Sequence, residues 1–149
     1  MRKLSRFTRW ATTAATLVGV AVVGPVVTAA PASAAGYGCA GDLSYSKAVY
    51  GNRNGYSGKL GTVYDYFDGT YNCSVFVKSA WAGTPSWLTL SIYREPNDGT
   101  YDEDSGNFSS YAGPVKIKAP RTCVVEMLDV YSPGGTQAFV GQIGPHSCG

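Results

Sequence analysis

The chain has 149 residues, 44% of them hydrophobic and 15% charged, with a formal net charge of +2. Four of the twelve Lys and Arg but none of the ten Asp and Glu lie in the first 34 residues. The remainder therefore carries −2, which excludes a basic nucleic-acid footprint, and its length of about 115 residues suits one domain rather than two.

Residues 1–34 read as a secretory signal peptide. Arg2, Lys3, Arg6 and Arg9 form a basic head, Ala11 to Val27 carries no charge, and Ala32-Ser33-Ala34 supplies small side chains for cleavage. The expected product is a single secreted β domain over residues 35–149. No later stretch approaches the 18 apolar residues that a membrane span needs, so no stable membrane insertion is expected.

Leu43 to Tyr50 reads as a weak strand or a single helical stretch, followed by a turn-rich link at Asn52-Arg53-Asn54-Gly55. Thr62 to Phe67 and Thr70 to Ser79 flank Asp68-Gly69, a strong hairpin signal because both residues tolerate positive φ. In the second run Cys73, Val75 and Val77 share the face expected in the core. Phe76 lies with Ser74 and Lys78 on the opposite face, which then needs a covering layer or loop.

Trp87 to Arg94 alternates Leu88, Leu90 and Ile92 with polar or amphipathic residues, and Trp87 at its head reads as structural. Glu95 to Gly106 reads as an acidic hairpin loop carrying Asp98, Asp102, Glu103 and Asp104. Val115 to Ala119, Cys123 to Tyr131 and Gln137 to Ile143 complete the strands, separated by Pro120-Arg121 and Ser132-Pro133-Gly134-Gly135. Six or seven strands with hairpin-scale loops predict a mainly β fold, a small disulfide-stapled antiparallel β-sandwich or open barrel, with the sandwich preferred.

Cys39, Cys73, Cys123 and Cys148 lie at least 25 residues apart, with no CxxC pair. In an exported domain this reads as two disulfides rather than a metal or thiol centre. Three pairings are possible, and two of them are in play. The nested one, Cys39 with Cys148 and Cys73 with Cys123, has a slight edge because Cys73 and Cys123 both sit in strand-like runs; the sequential one joins Cys39 to Cys73 and Cys123 to Cys148.

No catalytic set, metal site or cofactor motif emerges. His146 is the sole histidine and reads as a terminal-loop residue beside a cysteine. Only a buried pocket joining it to Asp or Ser residues would revive an enzyme reading. The acids of Glu95 to Gly106 superficially resemble a calcium ladder, but Glu103 stands where an EF-hand loop needs glycine and Ser109 where it needs a bidentate glutamate. Lys116, Lys118 and Arg121 read as a solvated, protective strand edge. Asn72-Cys73-Ser74 and Asn107-Phe108-Ser109 match the N-glycosylation pattern. Tyr64, Tyr66 and Tyr111 are the candidate surface contacts, since tyrosines on a sheet stack on sugar rings or form a binding patch.

The short Cys39-Ala40-Gly41 start, Gly61-Thr62-Val63-Tyr64 and Asn72-Cys73-Ser74-Val75-Phe76-Val77 carry a resemblance, as do Gly106 to Val115, the surroundings of Cys123 and the terminal Cys148. Over most of Gly38 to Gly149 the chain resembles the spore-associated protein A family of filamentous actinobacteria. That resemblance implies export and association with the spore or cell surface, and brings no catalytic residues or cofactor. The combined expectation is a secreted, non-enzymatic structural or interaction protein whose partner is a cell-wall or spore-surface component, with no oligomeric state specified. A secreted enzyme inhibitor presenting Glu95 to Gly106 and a glycan-binding module using exposed aromatics are the alternatives.

Overall fold

The β-favouring runs form eight strands: β1 (Asp42–Tyr50), β2 (Lys59–Phe67), β3 (Tyr71–Lys78), β4 (Ser86–Glu95), β5 (Tyr101–Phe108), β6 (Tyr111–Lys118), β7 (Cys123–Tyr131) and β8 (Gln137–His146). The computed structural model describes residues 36–148, so the signal peptide read at residues 1–34 lies outside the described residues. Sheet A has the order β1-β2-β3-β6 and sheet B the order β5-β4-β7-β8, with every pairing antiparallel. The two sheets form a β-sandwich and do not close into a barrel. One sandwich seam sets β5 beside β6, and the other sets β1 beside β8.

Leu88, Leu90 and Ile92 of β4 meet Val63, Phe76, Val115, Val124, Leu128, Val130 and Ile143 in the inter-sheet core. Burying each such side chain contributes roughly 1.5–3 kcal/mol relative to leaving it exposed. This is the alternation expected of β4, and the Asp68-Gly69 hairpin is formed as expected: Asp68 Oδ1 accepts from the backbone N–H of Thr70 (3.0 Å) and Tyr71 (2.8 Å). These contacts, led by the Tyr71 N–H, hold the Asp68 carboxyl below the usual range. Leu43 to Tyr50 is a strand and not a helix.

Three expectations are corrected. There are eight strands among the described residues, not six or seven, because Tyr101–Phe108 within the expected acidic loop pairs along β4 from Tyr93↔Tyr101 to Ser86↔Phe108. The faces of β3 are also reversed. Phe76 enters the main core, while Cys73 and Val75 belong to a smaller cluster on the outer face of sheet A, beneath Cys39 and beside Tyr64 and Tyr66. Polar Ser74 and Lys78 tolerate the inner face because each has buried partners. Lys78 Nζ donates to Thr84 O (2.7 Å), Ser86 Oγ (2.8 Å) and Phe108 O (3.0 Å), and burial lowers its pKa.

The disulfides follow the sequential pairing, Cys39–Cys73 and Cys123–Cys148, so the preferred nested pairing is wrong. Cys73 points outward from sheet A and Cys123 begins a strand of sheet B, so these two cannot meet. The register Val124↔His146 instead brings Cys123 next to Cys148. The bridges span sequence separations of 34 and 25 residues, for which loop-closure entropy gives about 3–4 kcal/mol each. Gly41 lets the N-terminal segment reach Cys73: its φ is +89°, and a Cβ there would lie 2.2 Å from the Phe67 carbonyl oxygen.

Candidate functional site

Two regions carry concentrated chemistry. The first is a buried polar cluster at one end of the β1–β8 seam, built from residues far apart in sequence. Asp65 of β2, Ser74 of β3, Glu126 of β7 and His146 of β8 are all buried, the two carboxyl residues having no exposed surface. His146 is therefore not a terminal-loop residue. Its Nε2 lies 2.7 Å from Glu126 Oε2, its Nδ1 lies 3.0 Å from Ser147 Oγ, and the Tyr45 ring stacks on the imidazole at 3.8 Å between centroids.

Around Asp65 the hydroxyls of Ser147 (2.7 Å) and Ser44 (2.9 Å) reach Oδ2, and that of Ser74 (2.9 Å) reaches Oδ1. Ser74 Oγ also lies 2.6 Å from Glu126 Oε1. Burial, opposed by the Ser147 hydroxyl and aided by the Glu126 charge, raises the Asp65 carboxyl above its usual range. Burial likewise raises the Tyr45 phenol.

The order Ser147–His146–Glu126 resembles a nucleophile, a base and an orienting acid. Yet Ser147 Oγ is already engaged by Asp65, Ser44 and His146. Chemically, the cluster ties β1, β2, β3, β7 and β8 together. Sequence spacing could not reveal it, because the partners of His146 and Ser147 lie 20 and 82 positions away. Asn72 sits on the same inner face of β3, and its buried amide finds no partner among the described residues. This burial also removes Asn72 as a glycosylation acceptor, whereas Asn107 is exposed.

The second region is the outer face of sheet A. Tyr64 and Tyr66 of β2 project from it, and Tyr111 begins β6 on the opposite edge. Tyr37, which the sequence reading passed over, joins them: its ring is stacked with Tyr64 at 6.5 Å and tilted against Tyr111 at 5.2 Å. Tyr37 is 42% exposed and Tyr111 38%, while Tyr64 and Tyr66 are half-buried beside the Cys39–Cys73 cluster. Lys116 Nζ stands 4.5 Å above the Tyr71 ring at the margin and 3.5 Å from Asp68 Oδ2. Tyr37 was legible only through the cysteine two residues later, whose bridge to Cys73 fastens it over the sheet.

The remaining candidates are dispersed. The acidic residues do not converge: Asp98 pairs with Arg94 (2.6 Å), Asp104 accepts from the Gly113 N–H (2.7 Å) and Asp102 from the Lys116 N–H (2.8 Å). Among the described residues no group of three or more His, Cys, Asp or Glu is placed to hold a metal ion. The loop expected to be presented by an inhibitor shrinks to Pro96–Thr100, since Glu95 belongs to β4 and Tyr101 opens β5. Trp87 is 47% exposed rather than packed, while Trp81 packs edge-on against Tyr56 beside the main core. Lys116, Lys118 and Arg121 are exposed along and just beyond edge strand β6.

No family model matches the chain, and no solved structure matches it. It is 34% identical over 118 residues to Spore-associated protein A of Streptomyces coelicolor, in a match that spans 73% of this chain and 72% of that protein. With this identity over most of both sequences, the chain belongs to the family of Spore-associated protein A.

Proposed function

We propose that the protein is an exported, non-enzymatic structural or interaction domain working at the exterior of the spore or cell. Its contact surface is the outer face of sheet A, with Tyr37, Tyr64, Tyr66 and Tyr111 meeting a cell-wall or spore-surface component. The name of the relative supports the setting. The observation that carries the contact surface is the cluster of three tyrosine rings, two of them more than a third exposed, fastened by a disulfide on an otherwise ordered sheet. Aromatic faces held this way stack on sugar rings with little ordering cost, because the side chains are already fixed.

Purified cell-wall and spore-envelope fractions, together with a glycan array, test the reading. The wild-type protein is expected to bind at least one fraction. The double variant Tyr37→Ala/Tyr111→Ala should lose about tenfold or more in affinity, equivalent to roughly 1.4 kcal/mol, with its unfolding midpoint little changed. Unaltered binding by that variant rejects the tyrosine face, and no binding by wild type rejects the interaction role.

A further inference from the structure

A serine hydroxyl has a single proton to donate. Ser74 Oγ nevertheless faces two buried carboxyl groups, Glu126 Oε1 at 2.6 Å and Asp65 Oδ1 at 2.9 Å. With both carboxyls ionised, one of these contacts would press a hydroxyl lone pair against a carboxylate with no hydrogen between them. Neither anion would have water to compensate.

We infer that the cluster is a buried proton-binding site in which Asp65 stays protonated while Glu126 and His146 form an ion pair, locking this end of the sandwich. Two geometric features place the proton on Asp65. The shorter Ser74 contact, the one to Glu126, has the length of a hydroxyl donating to a charged carboxylate. Glu126 also has the imidazole at 2.7 Å as its counter-charge, whereas the closest approach of that ring to Asp65 is 3.7 Å.

The assignment gives each side-chain contact of the two carboxyl groups one hydrogen, and leaves the 3.0 Å contact between the Ser44 and Ser147 hydroxyls without one. Asp65 Oδ1–H donates to Ser74, Ser74 to Glu126 Oε1, and His146 Nε2–H to Glu126 Oε2. His146 Nδ1–H donates to Ser147, and Ser147 and Ser44 donate to Asp65 Oδ2. The titratable groups facing the site are Asp65 from β2, Glu126 from β7, His146 from β8 and Tyr45 from β1, and with this proton the set is neutral overall. Removing it leaves two anions against one imidazolium inside the protein.

The consequence for stability has a definite sign. A carboxyl that holds its proton more tightly when folded contributes stability that is complete below the unfolded value of about 3.9 and is lost as pH rises through the folded value. Alkaline conditions therefore loosen β1 and the Gly144–Cys148 end.

Unfolding equilibria of the full-length chain and of Asp65→Asn and Glu126→Gln, measured from about pH 5 to 9, test this, with 13C NMR of the wild-type carboxyls. Asparagine reproduces a protonated Asp65, donating to Ser74 and accepting from Ser147 and Ser44. Asp65→Asn should match or exceed wild type at about pH 8 and flatten the alkaline decline, while Glu126→Gln should lose about 100-fold or more in folding constant. The wild-type Asp65 carbon should keep its protonated position through the range where exposed carboxyls titrate. An Asp65 carbon that titrates with them overturns the inference, whether or not the variants fold. So does an Asp65→Asn variant as damaged as Glu126→Gln.

Discussion

The two seams of the sandwich are closed by opposite means. At the β5–β6 seam, side-chain carboxylates reach across to edge-strand N–H groups: Asp104 to Gly113 and Asp102 to Lys116. Gly113 suits this place, with φ +100° and with a Cβ there falling 2.8 Å from the Ser74 carbonyl oxygen, too close to be accommodated. At the β1–β8 seam the strand edges are joined mainly near the ends. Asn52 brackets Val140 at one end (Nδ2 to O, 3.0 Å; N–H to Oδ1, 3.2 Å), and the His146 cluster grips the other. Between them lies a groove of about 290 Å³ lined by Lys47, Val49, Phe139, Gln142 and Ile143. The contrast teaches that one edge is protected by charge distributed along the strand, and the other by two discrete clamps.

The largest expected effect comes from breaking a clamp. On the inferred ion pair, His146→Ala leaves the buried Glu126 carboxyl without its partner at 2.7 Å and should destabilise the protein by about 3–5 kcal/mol; hydrogen exchange would show β1 and β8 opening before β5 and β6. Asp104→Ala should cost less, about 1.5–3 kcal/mol, with faster exchange confined to Gly113 and its neighbours. Asn52→Ala should cost only about 1 kcal/mol by urea unfolding, since water enters the groove to solvate Val140. If Asn52→Ala proved the most damaging of the three, the order of the two clamps would have to be reversed.

The ease of reading this fold from its residues varied with the range of the forces involved. Asp68-Gly69 and the Leu88-Leu90-Ile92 alternation act locally, and they specify a hairpin and a strand wherever they stand. Tyr101–Phe108 resembles a loop in sequence because it is held by its ladder with β4 and by two acids that accept from N–H groups of the other sheet, not by an apolar alternation of its own. The faces of β3 invert because Ser74 and Lys78 look solvent-facing until Glu126 of β7 is brought to Ser74 and the oxygens of Thr84, Ser86 and Phe108 to Lys78. His146 is the extreme case, a hub whose acids come from β2 and β7 and leave no trace in the spacing near the C-terminus. Tyr64, Tyr66 and Tyr111 are legible as sheet tyrosines, but the association of Tyr64 and Tyr111 through Tyr37 depends on the bridge that Cys39 makes.

Each disulfide stays close to one sheet, Cys39–Cys73 at sheet A and Cys123–Cys148 at sheet B, so neither bridge cross-links the two sheets. If such a domain were tethered at both termini and pulled, the load would bypass everything enclosed by the two bridges. Only the chain from Cys73 to Cys123 could then pay out, adding a slack of roughly 170 Å at most, while the tyrosine-bearing β1–β2 hairpin would ride outside the line of tension.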